Sequence, residues 1–261
     1  MSGRSADPSR PPPWNHKTDM EVAVILPAAG LGTRMGRSSP EKAGISRKQF
    51  MLLDGSPIFL HTVRKFARCA RVSEIVVAVR GDDVEWVEEL LRKEKLGKPA
   101  RVVEGGDSRQ QSVENALAVV NPKTDLVAVH DAVRPFIDLE TIDRVIDEAG
   151  QSGAAIVGIV PVDTVKQVSR LQANRAKIRN TLQRDRLVLA QTPQVFRYEL
   201  LRRAFQAARA DGFTGTDESS LVERLEEIEV SVVLGSDRNI KITKPSDMEL
   251  ARLFAKEESV A

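Results

Sequence analysis

The chain alternates between short runs that are almost wholly apolar and longer stretches whose apolar residues recur every three or four positions. Val22–Pro27, Ile75–Val79, Leu126–Val129 and Ala154–Val160 belong to the first kind, with Arg101–Val103 as a briefer strand between them. Ile58–Cys69, Val84–Leu96, Ser112–Val120 and Leu139–Ala149 belong to the second. A strand that is apolar on both sides needs cover on both faces, and a helix with one apolar stripe supplies cover on one. Their alternation predicts an α/β fold: a mostly parallel, twisted sheet with helices on both faces. Right-handed crossovers place the strand C-terminal ends along one edge, and ligands of such sheets bind outside that edge.

The rhythm breaks over 162–189. Charged β-formers, Val165–Val168 and Lys177–Leu182, flank a polar turn at Arg170–Arg175. This predicts an antiparallel excursion from the sheet, a protruding β-arm. Beyond it, Tyr198–Ala210 and Ser219–Leu225 read as helices and Val230–Leu234 and Ile240–Ile242 as short strands. Pro245 opens a last helix at a position where its missing N–H costs nothing. Residues 1–19 show no period and are rich in Pro, Ser and Arg, so they read as a disordered tail. The rest, 20–261, reads as one domain.

Composition narrows the function. In 261 residues, 39 Lys and Arg face 37 Asp and Glu, a formal charge of +2. No broad positive field exists to bind nucleic acid. A single cysteine, Cys69, excludes an internal disulfide and a Cys-cluster metal site, and three histidines disfavour a His-rich zinc site. No apolar run approaches a membrane span, and the N-terminus lacks the basic-then-apolar pattern of a secretory signal, so a cytoplasmic location is the expectation.

The chemistry concentrates after the first strand, in Pro27-Ala-Ala-Gly-Leu-Gly-Thr-Arg-Met-Gly36. Gly30 and Gly32 permit close backbone approach, successive amides form a concavity for anions, and Arg34 adds a planar donor fork. The glycine spacing meets neither the dinucleotide fingerprint nor the Walker pattern. On these residues alone the segment is either a phosphate loop or a plain strand-to-helix turn. Glu41–Phe50 brings Lys42, Arg47 and Lys48 nearby in sequence, either as a solvated basic loop or as cations that stabilise charge developing on a leaving pyrophosphate. His130 reads as a packed strand-end residue, Cys69 as a buried thiol, and Asp217-Glu218 as a helix-start pair favoured by the dipole.

The glycine segment followed by Lys48-Gln-Phe50 resembles the signature of nucleotidyltransferases that load a sugar or polyol phosphate with a nucleoside monophosphate. Gly105–Val113, His130–Phe136, Pro161–Lys166, Thr181–Arg184, Gln191–Phe196, Thr216–Glu218 and Asn239–Thr243 follow in order. Together they resemble the 2-C-methyl-D-erythritol 4-phosphate cytidylyltransferase family of the non-mevalonate isoprenoid pathway, over roughly residues 22–255. A ribitol 5-phosphate cytidylyltransferase shares the glycine loop and the His-Asp-Ala-Val-Arg-Pro turn. The Thr181–Arg184 segment and its spacing to Gln191 favour the methylerythritol enzyme.

The resemblance implies a Rossmann-like nucleotidyltransferase fold, Mg²⁺ as cofactor, CTP and a polyol phosphate as substrates, and a homodimer joined through the β-arm. It implies that Pro27, Ala28, Ala29, Gly30, Gly32, Gly105, Gly106, Asp107 and Ser112 meet the nucleotide. Arg34 and Lys48 are then the catalytic pair. Asp131, Arg134, Thr164, Arg184, Thr192, Asp217 and Lys241 serve the polyol phosphate, with Asp131 also beside the metal and Thr164, Lys166 and Arg184 acting across the dimer. Neither a nucleic acid nor a membrane partner is implied. One departure stands out: Arg47 replaces the proline that usually precedes the Lys-Gln-Phe triplet, and the loop before it is longer. Lys42 thereby becomes a rival to Lys48, which is favoured because Gln49-Phe50 follow it.

Overall fold

The computed structural model describes residues 20–30, 47–170, 172 and 175–260. The tail 1–19, Gly32, Arg34 and Lys42 lie outside the described residues. In chain order the strands and helices are β1 (Val22–Pro27), β2 (Leu52–Leu53), β3 (Ser56–Pro57), α1 (Ile58–Arg68), β4 (Val72–Val79), α2 (Val84–Lys93), β5 (Ala100–Glu104), α3 (Arg109–Leu117), β6 (Leu126–Val129) and α4 (Leu139–Ser152). They continue with β7 (Ala154–Ile159), β8 (Lys166–Val168), β9 (Ile178–Thr181), β10 (Leu189–Arg197), α5 (Tyr198–Ala210), α6 (Glu218–Glu223), β11 (Ser231–Leu234) and α7 (Pro245–Val260). Among the described residues no helix is long and apolar enough to cross a membrane.

Seven strands form the main sheet in the order β11-β7-β10-β6-β1-β4-β5. Only β10 runs against its neighbours, β6 and β7. In the middle, Val24 pairs with Ile75 on one side and Ala128 on the other. Alternate residues of β1 serve opposite layers, as the two-residue period of a strand requires. Val22, Val24 and Leu26 pack with Phe59, Val63 and Phe66 of α1 and Ile142 and Val145 of α4. Ala23 and Ile25 pack with Val113 and Ala116 of α3 and Leu201 and Phe205 of α5. Each large side chain so buried contributes roughly 1.5–3 kcal/mol before entropy is counted.

From β1 the chain steps outward to β4 and β5, then returns to place β6 on the other side of β1. This reversal opens a crevice beyond the C-terminal ends of β1 and β6. A third cluster closes it from below. There Leu53, Ile58, Val133 and Phe136 pack against Ile242, Met248 and Ala251. This packing helps bring residues near 241 to the turn after β6.

Three expectations need correction. Strand β10 was not foreseen, because Gln191, Thr192, Pro193 and Gln194 hide a buried strand behind polar residues and a proline; the register shifts between Ala190 and Gln194, where Pro193 falls. Ile240–Ile242 forms no strand. One backbone bond, from Ile242 N to Val133 O at 3.0 Å, and burial of Ile242 anchor it instead. Helix α3 begins at Arg109, ahead of the expected Ser112, because the Ser108 side chain caps it by accepting the Gln111 N–H. The excursion forms as expected: β8 and β9 are antiparallel, with Lys166 opposite Thr181, and all their residues are exposed.

Candidate active site

The crevice begins where β1 ends. Ala28 N–H still donates to Ala78 O at 2.7 Å, so the chain leaves the sheet only after Ala28. Lys48, Gln49 and Phe50 form a 3-10 turn beneath this strip. The buried Gln49 amide donates to Ala28 O at 2.6 Å and to Gly30 O at 3.1 Å. Phe50 stands edge-on to Phe59 and Trp86 at 5.6 and 4.9 Å. Arg47 forms an ion pair with Asp83. Lys48 is therefore carried on a turn fastened to β1 by an amide, to the core by a ring and to the α2 end by a charge pair. At the position where the resemblance leads one to expect proline, Arg47 supplies an anchor of a different chemistry.

A second strip follows β5. Gly105 N–H donates to Val79 O at 2.6 Å. A β-carbon on Gly105 would stand 2.6 Å from Ala29 Cβ and 2.9 Å from Ser112 Oγ. Only glycine lets the two strips meet at that distance. Ser112 Oγ accepts the Gly106 N–H at 3.1 Å and donates to Ser108 O at 2.8 Å, which shapes the loop against the start of α3.

The third wall is charged. Asp131, just past β6, is 6% exposed and faces three cations. Lys241 Nζ lies 2.9 Å and Arg134 Nε 3.2 Å from its Oδ2, and Arg109 Nε lies 3.5 Å from its Oδ1. Burial by itself raises the pKa of this carboxyl, but Lys241, Arg109 and Arg134 outweigh it and hold the group well below the usual carboxylate range. Arg134 Nη1 also donates to Asn239 O at 2.7 Å, tying the turn to the segment that carries Lys241.

These walls enclose a cavity of about 500 Å³. Pro27, Ala28, Ala29, Gly30, Lys48, Gly106, Asp107, Ser112, Asp131 and Lys241 line it together. Gly105, Arg134 and Thr192 stand in the layer behind: Thr192 Oγ1 accepts the Asp131 N–H at 3.0 Å. Asp217 caps α6 by accepting the Ser220 N–H and takes a bond from Gln194, away from the cavity wall. Thr164 and Arg184 sit on the excursion, where Arg184 donates to Val162 O. Gln49, Arg80, Ser108, Arg109 and Thr243 also line the cavity and were not singled out from the sequence. Arg80 directly follows a strand, and Arg109 lies inside the Gly105–Val113 motif, so both carried a positional signal. A wider groove of about 740 Å³ runs between α2 and β5. Of the cations on its wall, Lys98 donates to Val72 O, and Arg101 and Arg92 pair with Glu74 and Glu89.

Residues 22–257 match the family model for 2-C-methyl-D-erythritol 4-phosphate cytidylyltransferase. The chain belongs to this family. It is 67% identical over 240 residues to the 2-C-methyl-D-erythritol 4-phosphate cytidylyltransferase of Solibacter usitatus, covering 92% of this chain and 98% of that one. The enzyme of the same name from Acidobacterium capsulatum is 53% identical over 243 residues, with 92% and 99% covered. The crystal structure of 4-diphosphocytidyl-2C-methyl-D-erythritol synthase from Anaerococcus prevotii superposes with a TM-score of 0.78 at 28% identity, covering 91% and 97% of the two chains. The chain is thus a cytidylyltransferase, and the sheet with its helices is that of a nucleotidyltransferase.

Among the described residues of this cytidylyltransferase the cavity wall offers hydroxyls, cations and two carboxylates but no acid–base dyad. His130 is fully buried behind Asp131. Its Nε2 meets Arg134 O at 3.0 Å, and a carbonyl can only accept, so Nε2 carries the proton. Nδ1 is then the acceptor for the Thr192 hydroxyl at 3.1 Å. Burial lowers the His130 pKa to about 4. An unfolded histidine titrates near 6.5, so between those values the unfolded chain binds the extra proton and stability falls as pH falls. His130 is expected to cost about 2 kcal/mol of stability between pH 7 and pH 5. Urea unfolding at the two pH values checks this. His130→Asn should remove that part of the loss, and an equal loss in both proteins discards the assignment.

Among the described residues no group of three or more His, Cys, Asp or Glu side chains could hold a metal ion. Asp131 and Asp107 are the carboxylates among the described residues of the cavity wall.

Proposed function

We infer that the cavity holds CTP along Pro27–Gly30 and Gly105–Ser112 and holds 2-C-methyl-D-erythritol 4-phosphate on the side of Asp131, Arg134 and Lys241. The chain transfers the cytidylyl group from the first to the second and releases pyrophosphate. One observation carries this reading: two backbone strips that suit a nucleotide open, within one cavity, onto Lys48, Arg80, Arg109 and Lys241.

The chemistry asks little of covalent catalysis. A phosphate monoester is already largely ionised near pH 7, so its oxygen attacks the α-phosphorus in line while the bond to the leaving pyrophosphate breaks. The enzyme must overcome the repulsion of two anions and steady the charge that moves onto pyrophosphate. Positioned cations in a cavity walled by low-dielectric protein do both. Lys48 and, from the resemblance, Arg34 serve the phosphorus and the leaving group. Lys241, held on the Asp131 carboxylate that Arg134 braces from behind, presents the polyol phosphate. Ser112, whose hydroxyl is already committed within its own loop, shapes the pyrimidine end.

The donor set suits a metal carried by substrate phosphates, since Mg²⁺ commonly uses one or two carboxylates and keeps the rest of its shell for phosphate and water. Asp131 would hold it, and when bound it neutralises triphosphate charge.

The excursion reads as an arm that embraces a second copy of this chain. Val162 and Ile178 on it are 85% and 64% exposed, an apolar surface that supports intermolecular burial. Thr164, Lys166 and Arg184 would then reach the partner's cavity. Arg184→Ala is expected to raise the KM for methylerythritol phosphate about tenfold with little change in the KM for CTP; an unchanged value removes the assignment. Light scattering that finds a fully active monomer removes the arm's role.

The direct test of the activity is pyrophosphate release from CTP with Mg²⁺ and methylerythritol phosphate. Ribitol 5-phosphate in place of the polyol, and UTP, ATP or GTP in place of CTP, should be poor substrates.

A further inference from the structure

Glu218 is a carboxylate that the reaction described above does not use, yet it is only 1% exposed. It opens α6, and both its oxygens take the same Nη1 of Arg109, at 2.7 and 2.9 Å. Arg109 opens α3, and its side chain, 31% exposed, lies on the cavity wall. Its Nε stands 3.5 Å from Asp131. A line of charge therefore runs from a buried acid, through one guanidinium, to the carboxylate that organises Lys241 and Arg134.

The balance of that line is informative. Three cations (Arg109, Arg134, Lys241) face two carboxylates (Asp131, Glu218), and Arg109 is shared between the two. Without Glu218, Arg109 has only Asp131 to answer it and is drawn onto that carboxylate or onto an incoming phosphate. With Glu218, the guanidinium is held back by its far end and only touches Asp131 with its Nε. A planar, rigid guanidinium held at one terminal nitrogen transmits that restraint to its Nε. Burial raises the Glu218 pKa and Arg109 works against that rise, so the acid needs its partner to stay charged.

We propose that Glu218 is a positioning residue for the transfer reaction: by gripping Arg109 it sets the orientation of Asp131 and keeps that carboxylate available for the polyol phosphate side of the cavity. The inference deepens the functional reading above and rests on it. Glu218 does not itself line the cavity and acts through Arg109.

A plain staple between α3 and α6 would use the same ion pair, so the test must move something a staple would not. Steady-state pyrophosphate release is measured for the full chain, for Glu218→Gln, for Glu218→Asp, for Arg109→Gln and for the doubly neutral Arg109→Gln/Glu218→Gln, with each substrate varied in turn. Glu218→Gln should raise the KM for methylerythritol phosphate at least tenfold and leave the KM for CTP within about twofold. Glu218→Asp should recover part of the loss. Arg109→Gln and the double variant should share one KM for the polyol phosphate, because Glu218 has nothing to act through once Arg109 is neutral. The double variant leaves no buried charge unpaired, so it keeps the comparison open if Glu218→Gln folds poorly. Unchanged KM values in Glu218→Gln, equal changes for both substrates, or additive effects in the double variant overturn the proposal. A wild-type chain that releases no pyrophosphate from CTP and methylerythritol phosphate overturns the functional reading instead.

Discussion

Lys48→Ala is expected to lower turnover by 10²–10³, about 2.7–4 kcal/mol of transition-state stabilisation, while the KM for methylerythritol phosphate moves by less than about threefold. The direction of that split follows from the role. A cation that mainly meets charge as it develops on the leaving group is missed in the transition state and little missed in the ground state. The turn that carries Lys48 is fixed by Gln49, Phe50 and Arg47, so truncating this half-buried lysine on the cavity wall should leave the turn in place. Lys48→Arg should recover part of the rate, since charge returns with different geometry. Arg34→Ala should behave as Lys48→Ala does. Lys42→Ala is the internal comparison: a loss there with Lys48→Ala unaffected would move the catalytic role to Lys42. Wild-type turnover in both Arg34→Ala and Lys48→Ala would remove the transition-state assignment. Single-turnover rates and thermal unfolding, read side by side, make the distinction.

Asp131→Asn should be costly in a different way. The nearly buried carboxylate sits between Lys241, Arg134 and Arg109, and neutralising it leaves three close cations facing one another. Removing one member of a buried charge set costs about 3–5 kcal/mol. Denaturant unfolding should show a loss of that order, and turnover should fall at least tenfold because the cations no longer share one anchor. The pH dependence has a definite sign. The folded pKa is depressed, so the stabilisation from Asp131 is fully present above the unfolded value near 3.9 and fades only as pH falls through the lower folded value. Any acid limb of the rate profile above pH 4 must therefore come from other groups, and it should survive unchanged in shape in Asp131→Asn. A variant as stable as wild type would show that the three cations do not depend on this carboxylate.

Much of the framework could be read before any coordinates. Val22–Pro27 and Leu126–Val129 are apolar throughout because both faces of a central strand are covered, and that alone called for helices on both sides. Ile58–Cys69 and Tyr198–Ala210 announced themselves by period. Strand β10 stayed hidden because its burial is achieved with Gln191, Thr192 and Gln194. Their amides and hydroxyl are satisfied by Asn239, Asp131 and Asp217–Ser219, all distant in sequence. Ile240–Ile242 showed the converse: residues that suit a strand instead pack into the cluster at the turn after β6, with Ile242 buried as its peg.

The candidate site divides along the same line. Local chemistry marked the Pro27–Gly36 segment and the cations Lys42, Arg47 and Lys48, and the family resemblance marked Gly105, Gly106 and Asp131. Neither could show that Arg109 is pinned by Glu218, 109 positions further on, or that Lys241 arrives at Asp131 from the far end of the chain. Hydrophobic period and backbone freedom are written in neighbouring residues and so belong to the sequence. The sharing of one buried carboxylate among three cations depends on which surfaces pack together, and that was decided by the cores that join α3 to α6 and residues near 241 to the turn after β6.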